Sequence, residues 1–265
     1  MNVFVWGIYN WFENGLIRSI CQNNTLSEEG TAALIGAGFI FCFIAAYLLG
    51  SVNWALVISR LAFHDDVRTH GSGNAGTTNV LRTYGKKAAI FTFLGDGLKG
   101  VVAILIAAAI FGAPISEFRS YLHLISAAYF SVFFCVFGHV FPIFAKFKGG
   151  KGFATTAFAI LALNPVLFPF LAAIFLAIVL GMHYVSLGSV ITVALYPVML
   201  SSFDSASTEP FGVNTLAAFL MGVLVIWSHR SNIKRLLNHT ESKTYFFKKK
   251  DASTQKAPQK DEEQA

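Results

Sequence analysis

Charge is scarce in this chain. Only 13% of its 265 residues are Asp, Glu, Lys or Arg, against roughly 25% in a soluble domain. Cysteine is scarcer. Cys21, Cys42 and Cys135 are the full set, no two form a C-x-x-C pair, and the last two lie inside apolar runs. Neither a disulfide framework nor a zinc site is expected from that. No H-E-x-x-H, no G-x-S-x-G and no paired metal-ligand spacing occurs, which disfavours metal catalysis and a serine-triad hydrolase. The N-terminus lacks a basic region followed by an A-x-A site, so no removable signal peptide is expected.

Hydrocarbon is abundant instead. Hydrophobic residues make up 55% of the chain, and the mean hydropathy is +0.59. Apolar runs near the ~20 residues that cross a bilayer recur without alternation. The pattern predicts an all-α, polytopic membrane bundle and not a β-barrel. Seven spans are expected, at about 31–58, 88–111, 121–144, 154–163, 166–183, 190–200 and 214–228. Asn164-Pro165 separates the fourth from the fifth, because proline disfavours helix at the residue before it. Residues 1–30 read as an extension at the outer interface, 31–247 as the membrane domain, and 248–265 as a low-complexity, disordered tail.

The basic residues give orientation. Of the 20 Lys and Arg, all but Arg18 and Arg119 fall on the side that carries segments 60–87, 146–151 and 230–260 together with Lys99. The positive-inside rule makes that side cytoplasmic, leaving the N-terminus external and the C-terminus cytoplasmic. The net charge of +6 is thus explained by topology first, and by an anionic substrate or headgroup second. No nucleic-acid partner is expected.

The cytoplasmic breaks hold the chemistry. "GSGNAGTTNVLR", residues 71–82, offers Ser72, Asn74, Thr78, Asn79 and Arg82 on a turn-rich backbone, donors suited to phosphate oxygens. A plain flexible loop has the same composition. "KFKGGKG" is not a Walker A loop. Lys146 and Lys148 are covered by the topology rule. Gly149, Gly150 and Gly152 around Lys151, just before a helix, suggest an anion approaching backbone N–H groups. Asp96 and Lys99 share a face of the second span, as a structural ion pair or as part of a polar site. His229 and Asn232 share a face if their segment is helical, and Arg230 and Arg235 beside them suit a basic juxtamembrane anchor. His123, His139 and His239 read as packing or solvated residues. An organic-phosphate transporter is a rival reading, but it predicts inverted repeats or polar groups deep in several spans. A lipid phosphatase is a second rival, and it lacks a nucleophile here.

Taken in order, "GSGNAGTTNVLR", "FP-x-F-x-KFKGGKG-x-AT" and "HRSNIKRL" followed by Glu241 resemble the bacterial PlsY family, the membrane acyl-phosphate:glycerol-3-phosphate acyltransferases. The resemblance covers about 40–241, including "YLLGS" with Ser51 and "SLGS" with Ser189. It implies a seven-helix bundle in the bacterial inner membrane with a cytoplasmic catalytic face. The implied reaction moves an acyl chain from acyl-phosphate to the 1-hydroxyl of glycerol 3-phosphate, without a cofactor. The implied donor source is a soluble phosphate acyltransferase, PlsX. By resemblance Ser72, Arg82, His229 and Asn232 are catalytic. Ser51, Asn74, Thr78, Asn79, Lys99, Gly149, Gly150, Lys151, Gly152 and Ser189 are expected to bind substrate or phosphate. Asp96 and Glu241 are expected to be structural, with Asp96 also a candidate base.

Overall fold

The computed structural model describes residues 15–17, 19–21, 26–112, 118–204 and 212–244, and among these all regular structure is helical. The expected disordered tail and most of the N-terminal extension lie outside the described residues. Helix α1 spans Glu28–Ser51. Ser27 caps it, accepting a hydrogen bond from the Gly30 N–H at 3.1 Å, and Glu28 and Glu29 complement the dipole of the first turn.

The first span is not one helix. It stops at Ser51, runs extended through Val52 and Asn53, and restarts as α2, Trp54–Phe63. Asn53 caps the restart, its side chain accepting from the Leu56 N–H at 3.0 Å. The sequence offers no proline there, so the apolar run hides the break. After a polar loop come α3 (Thr77–Tyr84), α4 (Lys86–Phe111) and α5 (Phe118–Val140). Then follow α6 (Phe153–Leu163), α7 (Phe168–Met182), α8 (Val185–Asp204), α9 (Val213–Ser228) and α10 (Arg230–Leu237).

Among the described residues four stretches, 28–63, 86–111, 126–145 and 185–202, are long and apolar enough to cross a membrane. Helices α9 and α10, bent by 59° at their junction, make a fifth if taken together. Helix α6 has 11 residues, about 16 Å at 1.5 Å per residue, or half of a hydrocarbon core. The Asn164-Pro165 turn does separate α6 from α7, and the Asn164 amide donates to the hydroxyls of Tyr129 at 2.6 Å and Tyr196 at 3.1 Å. Helix α8 begins earlier than the expected span, so Ser189 sits inside it and not in a loop.

Small residues let the helices approach closely. A Cβ on Gly50 would overlap the Cys135 carbonyl, and one on Gly138 would overlap that of Tyr47, which seats α1 directly on α5 as membrane helix pairs require. Helices α5, α6, α8 and α9 enclose a second core of Val132, Val136, Ile160, Val193, Tyr196, Met221 and Val225. Ile40, Phe41, Phe91, Leu98 and Leu180 face outward, where lipid replaces protein as the apolar partner.

Candidate active site

Two loops and one helix start build a single cleft. The first loop is shaped by Asn79, which is buried. Its side-chain oxygen accepts from the Ser72 N–H at 3.0 Å, and its amide donates to the carbonyls of Val67 at 2.8 Å and His70 at 3.0 Å. Asn79 therefore folds the loop and has no side-chain donor left for a phosphate. Arg68 ties this loop to the second one. Its guanidinium pairs with Asp66 at 2.6 Å and donates to the carbonyls of Ala145 at 3.4 Å and Lys148 at 3.3 Å.

The glycine loop differs from a phosphate nest. The N–H of Gly149 donates to the Val140 carbonyl at 3.3 Å, and that of Gly150 to the His139 carbonyl at 3.1 Å. Those carbonyls belong to the last turn of α5, where no helical N–H remains to satisfy them. Both amides are thus spent on protein. The glycines are required by proximity: a Cβ on Gly149 would overlap the His139 carbonyl, and one on Gly150 would overlap the His139 ring and approach the Ala75 carbonyl at 2.6 Å. Gly152 has φ of +80°, a left-handed conformation at the start of α6.

Lys151 is the group this loop delivers. Its Nζ donates to Asn232 Oδ1, and the Ser228 hydroxyl donates to its carbonyl at 3.0 Å. Asn232 Nδ2 then donates to Glu241 Oε1 at 2.7 Å. The Ser186 hydroxyl also donates to Oε1 at 2.8 Å, and Arg235 Nε to Oε2 at 2.7 Å. An ammonium has only donors and a carboxylate only acceptors, so the Asn232 amide is fixed in one orientation between them. Burial pushes the Glu241 carboxyl up, but the donors Asn232, Ser186 and Arg235 outweigh it and hold it below the usual range. Burial depresses Lys151 to about 8, with Glu241 opposing and Arg235 and Arg82 adding to the depression. His229, at the α9–α10 bend, is lowered by burial and by Lys151 to about 4. Its Nδ1 lies 2.7 Å from the Val225 carbonyl, so Nδ1 carries the proton of a neutral ring and Nε2 keeps a lone pair.

The cleft has a volume of about 360 Å³. Ser72, Gly73 and Asn74 line one side, Lys148 to Lys151 the base, and Ser228, Arg230, Ser231, Asn232 and Arg235 the other. Phe141, Phe147 and Trp227 supply an aromatic wall, with Phe141 and Trp227 centroids 5.4 Å apart. The Arg230 guanidinium lies over the Trp227 ring at 4.1 Å. Cations thus meet an apolar face at one mouth.

The expected site residues divide sharply. Ser72, Asn74, Gly149, Gly150, Lys151 and Asn232 line the cleft, with His229 buried and Glu241 bonded to Asn232. Arg82 instead donates to the Ser242 carbonyl at 3.2 Å and the Thr244 hydroxyl at 3.1 Å, clamping the segment that carries Glu241. Thr78 is half-buried on α3 and lies outside the lining. Ser51 donates to the Tyr47 carbonyl at 2.9 Å, and Ser189 to that of Val185 at 2.9 Å, each within its own helix. Lys99 is corrected outright as a phosphate ligand: it is buried and bonded to Gly50, Val52, Asp96 and His139. Asp96 belongs to the same buried cluster, which removes it as a base at the cleft. His139, expected to be a packing or solvated residue, is buried and in addition is a partner of Lys99. Sequence reasoning also missed Ser228 and Trp227, which carry no motif, and gave Arg230 and Arg235 no role beyond suiting a membrane anchor.

A cationic and amide-lined cleft with an aromatic wall, set on apolar helices, is a site suited to an anionic group beside hydrocarbon in a membrane protein. The glycerol-3-phosphate acyltransferase family matches residues 40–239, and the chain belongs to that family of acyltransferases. It is 41% identical over 208 residues to the glycerol-3-phosphate acyltransferase of Clostridioides difficile, covering 77% of this chain and 95% of that protein. It is 41% identical over 204 residues to that of Nitrosospira multiformis, covering 77% and 95%. Two crystal structures of PlsY (YgiH), an integral membrane glycerol 3-phosphate acyltransferase, share the fold. The glycerol 3-phosphate form aligns with a TM-score of 0.66 and 35% identity, over 78% of this chain and 96% of that one. The lysophosphatidic acid form aligns with a TM-score of 0.63 and 34% identity, over 78% and 95%.

Proposed function

We propose that the protein transfers an acyl chain from acyl-phosphate to the 1-hydroxyl of sn-glycerol 3-phosphate, giving lysophosphatidate and inorganic phosphate. The cleft faces the cytoplasm of a bacterial inner membrane in this reading, with the N-terminus external and seven apolar segments, of which α6 is short. The excess of Lys and Arg on that side supports the orientation. A soluble phosphate acyltransferase supplies the donor.

The observation that carries the reading is the Lys151–Asn232–Glu241 line in the cleft wall. It presents a held cation next to Ser72, Asn74, Arg230 and Arg235, and the relatives crystallised as glycerol 3-phosphate and lysophosphatidic acid forms fit such a cleft. The acceptor hydroxyl oxygen attacks the acyl carbonyl carbon. The bond from that carbon to the phosphate oxygen breaks, and phosphate leaves with the electron pair. Lys151 and the cleft arginines stabilise the departing charge, while holding both substrates in contact removes much of the entropic barrier.

The hydroxyl proton goes to a phosphate oxygen of the bound substrates. Among the described residues lining the cleft there is no Asp or Glu, and His229, depressed to about 4, is a weak base. His229 instead keeps a neutral ring buried beside Lys151. The acyl chain leaves past Phe141 and Trp227 toward the bilayer. The reading is tested with purified protein given glycerol 3-phosphate and either acyl-phosphate or acyl-CoA. Lysophosphatidate formed from acyl-phosphate alone supports it. Product from acyl-CoA alone overturns the donor assignment, and product from neither overturns the reaction.

A further inference from the structure

One buried cluster takes no part in the chemistry above. Asp96, Lys99 and His139 are 1%, 3% and 4% exposed where α4 and α5 meet the break after α1. Lys99 Nζ lies 2.9 Å from the carbonyls of both Gly50 and Val52, 3.0 Å from Asp96 Oδ1 and 2.8 Å from His139 Nδ1. The three N–H groups of the ammonium are shared among these four atoms, and His139 Nδ1 also lies 3.4 Å from Asp96 Oδ1; with Lys99 donating to it, Nδ1 acts as an acceptor. The cluster also orders the chain at the break, since Asp96 Oδ1 accepts from the Trp54 N–H at 3.3 Å.

Each part of the cleft rests on this cluster. The His139 carbonyl receives the Gly150 N–H at 3.1 Å, one residue before Lys151. The His139 ring edge abuts Gly150 so closely that a Cβ there would overlap it. The same Cβ position on Gly150 meets the Ala75 carbonyl, held by Asn53 Nδ2 at 3.1 Å, which brings in the first loop. The Asp96 carbonyl accepts from the Thr155 hydroxyl at 2.7 Å, which fixes the first turn of α6 just after Lys151.

We propose that Asp96, Lys99 and His139 form a positioning unit for the acyltransfer cleft. The bond from Lys99 to His139 Nδ1 sets the imidazole, and the imidazole sets the Gly150 backbone from which Lys151 reaches the substrate. None of the three lines the cleft, so they act through Lys151. A structural ion pair alone would tie helices together; this unit also sets the registry of both loops. It rests on the cleft being the glycerol 3-phosphate site.

The test exploits the two nitrogens. His139→Asn places an amide oxygen near the Nδ1 position and keeps an acceptor for Lys99. His139→Gln reaches the Nε2 position and loses it, and His139→Leu loses both. Turnover, KM for glycerol 3-phosphate and thermal unfolding in detergent are measured for all three and for wild type. His139→Asn keeps the acceptor for Lys99 but lacks the ring edge against Gly150, so it is expected to lose activity, though less than His139→Gln. His139→Gln is expected to lose about 100-fold in kcat/KM per folded enzyme, the scale of a 1 Å misplacement. The Asn and Gln comparison stands even if His139→Leu fails to fold. Equal activity of the Asn and Gln variants, or full activity of His139→Leu per folded molecule, would overturn the inference. Wild-type protein inactive on glycerol 3-phosphate would instead overturn the functional reading, and the inference with it.

Discussion

The Lys151 ammonium donates to the Asn232 carbonyl oxygen across 81 residues of sequence, and that bond joins the glycine loop to the helix after the last apolar segment. Removing the ammonium should abolish most catalysis. Lys151→Ala is expected to lower kcat/KM for glycerol 3-phosphate by about 100-fold or more, the usual cost of one charge-stabilising donor. Steady-state kinetics on protein of matched folded fraction checks this, and near-normal rates would remove Lys151 from the cleft's chemistry.

The same lysine gives activity and stability opposite pH dependences. Its folded value is about 8 against 10.5 for the free group, so the native state sheds this proton first. Activity that needs the ammonium should fall as pH rises through about 8. The unfolded chain binds more protons between about 8 and 10.5, so the Lys151 contribution to stability rises with pH across that window. Rate and melting profiles from pH 6.5 to 10 test both, with Lys151→Ala expected to flatten the stability component.

Glu241 should behave as an organiser. Glu241→Gln keeps the shape but leaves Arg235 without its ion partner, and its one NH₂ group must face either Arg235 or Asn232, both of which need an acceptor. We expect a loss of about 1–3 kcal/mol in stability together with reduced turnover. Because the native carboxyl is held below its usual value, its contribution is present above the unfolded pKa and fades as pH falls through the folded one. Melting of both proteins between pH 3 and 7 should show that acid-sensitive component in wild type only.

The glycines can be separated by position. Gly150→Ala drives a methyl into the His139 ring and the Ala75 carbonyl, whereas Gly181 has open space around its Cβ position. The first substitution should lower both melting temperature and activity. The second, inside α7, should leave activity unchanged and stabilise by up to about 1 kcal/mol. Paired thermal unfolding and turnover measurements decide it.

The apolar runs and the Asn164-Pro165 turn made the bundle and the α6–α7 boundary legible, because both depend on local chemistry. The cleft residues Ser72, Lys151 and Asn232 were legible because polar groups stand out against hydrocarbon. What stayed hidden was tertiary. The break at Val52 and Asn53 depends on Lys99, which lies 47 residues from Val52, and the glycine amides look free until the end of α5 is seen to use them. Lys99 was read as a phosphate ligand since sequence shows a charge and not its partner, and the bonds of Arg82 to the segment carrying Glu241 were hidden for the same reason.

The Lys151–Asn232 pair is tested most directly by a double-mutant cycle in kcat/KM for glycerol 3-phosphate, using Lys151→Ala, Asn232→Ala and the double variant. Groups that act as one unit are strongly non-additive, so the double variant is predicted to be little worse than the more damaging single one. Losses that multiply, with each substitution acting at full strength in the presence of the other, would contradict a shared role for the two residues.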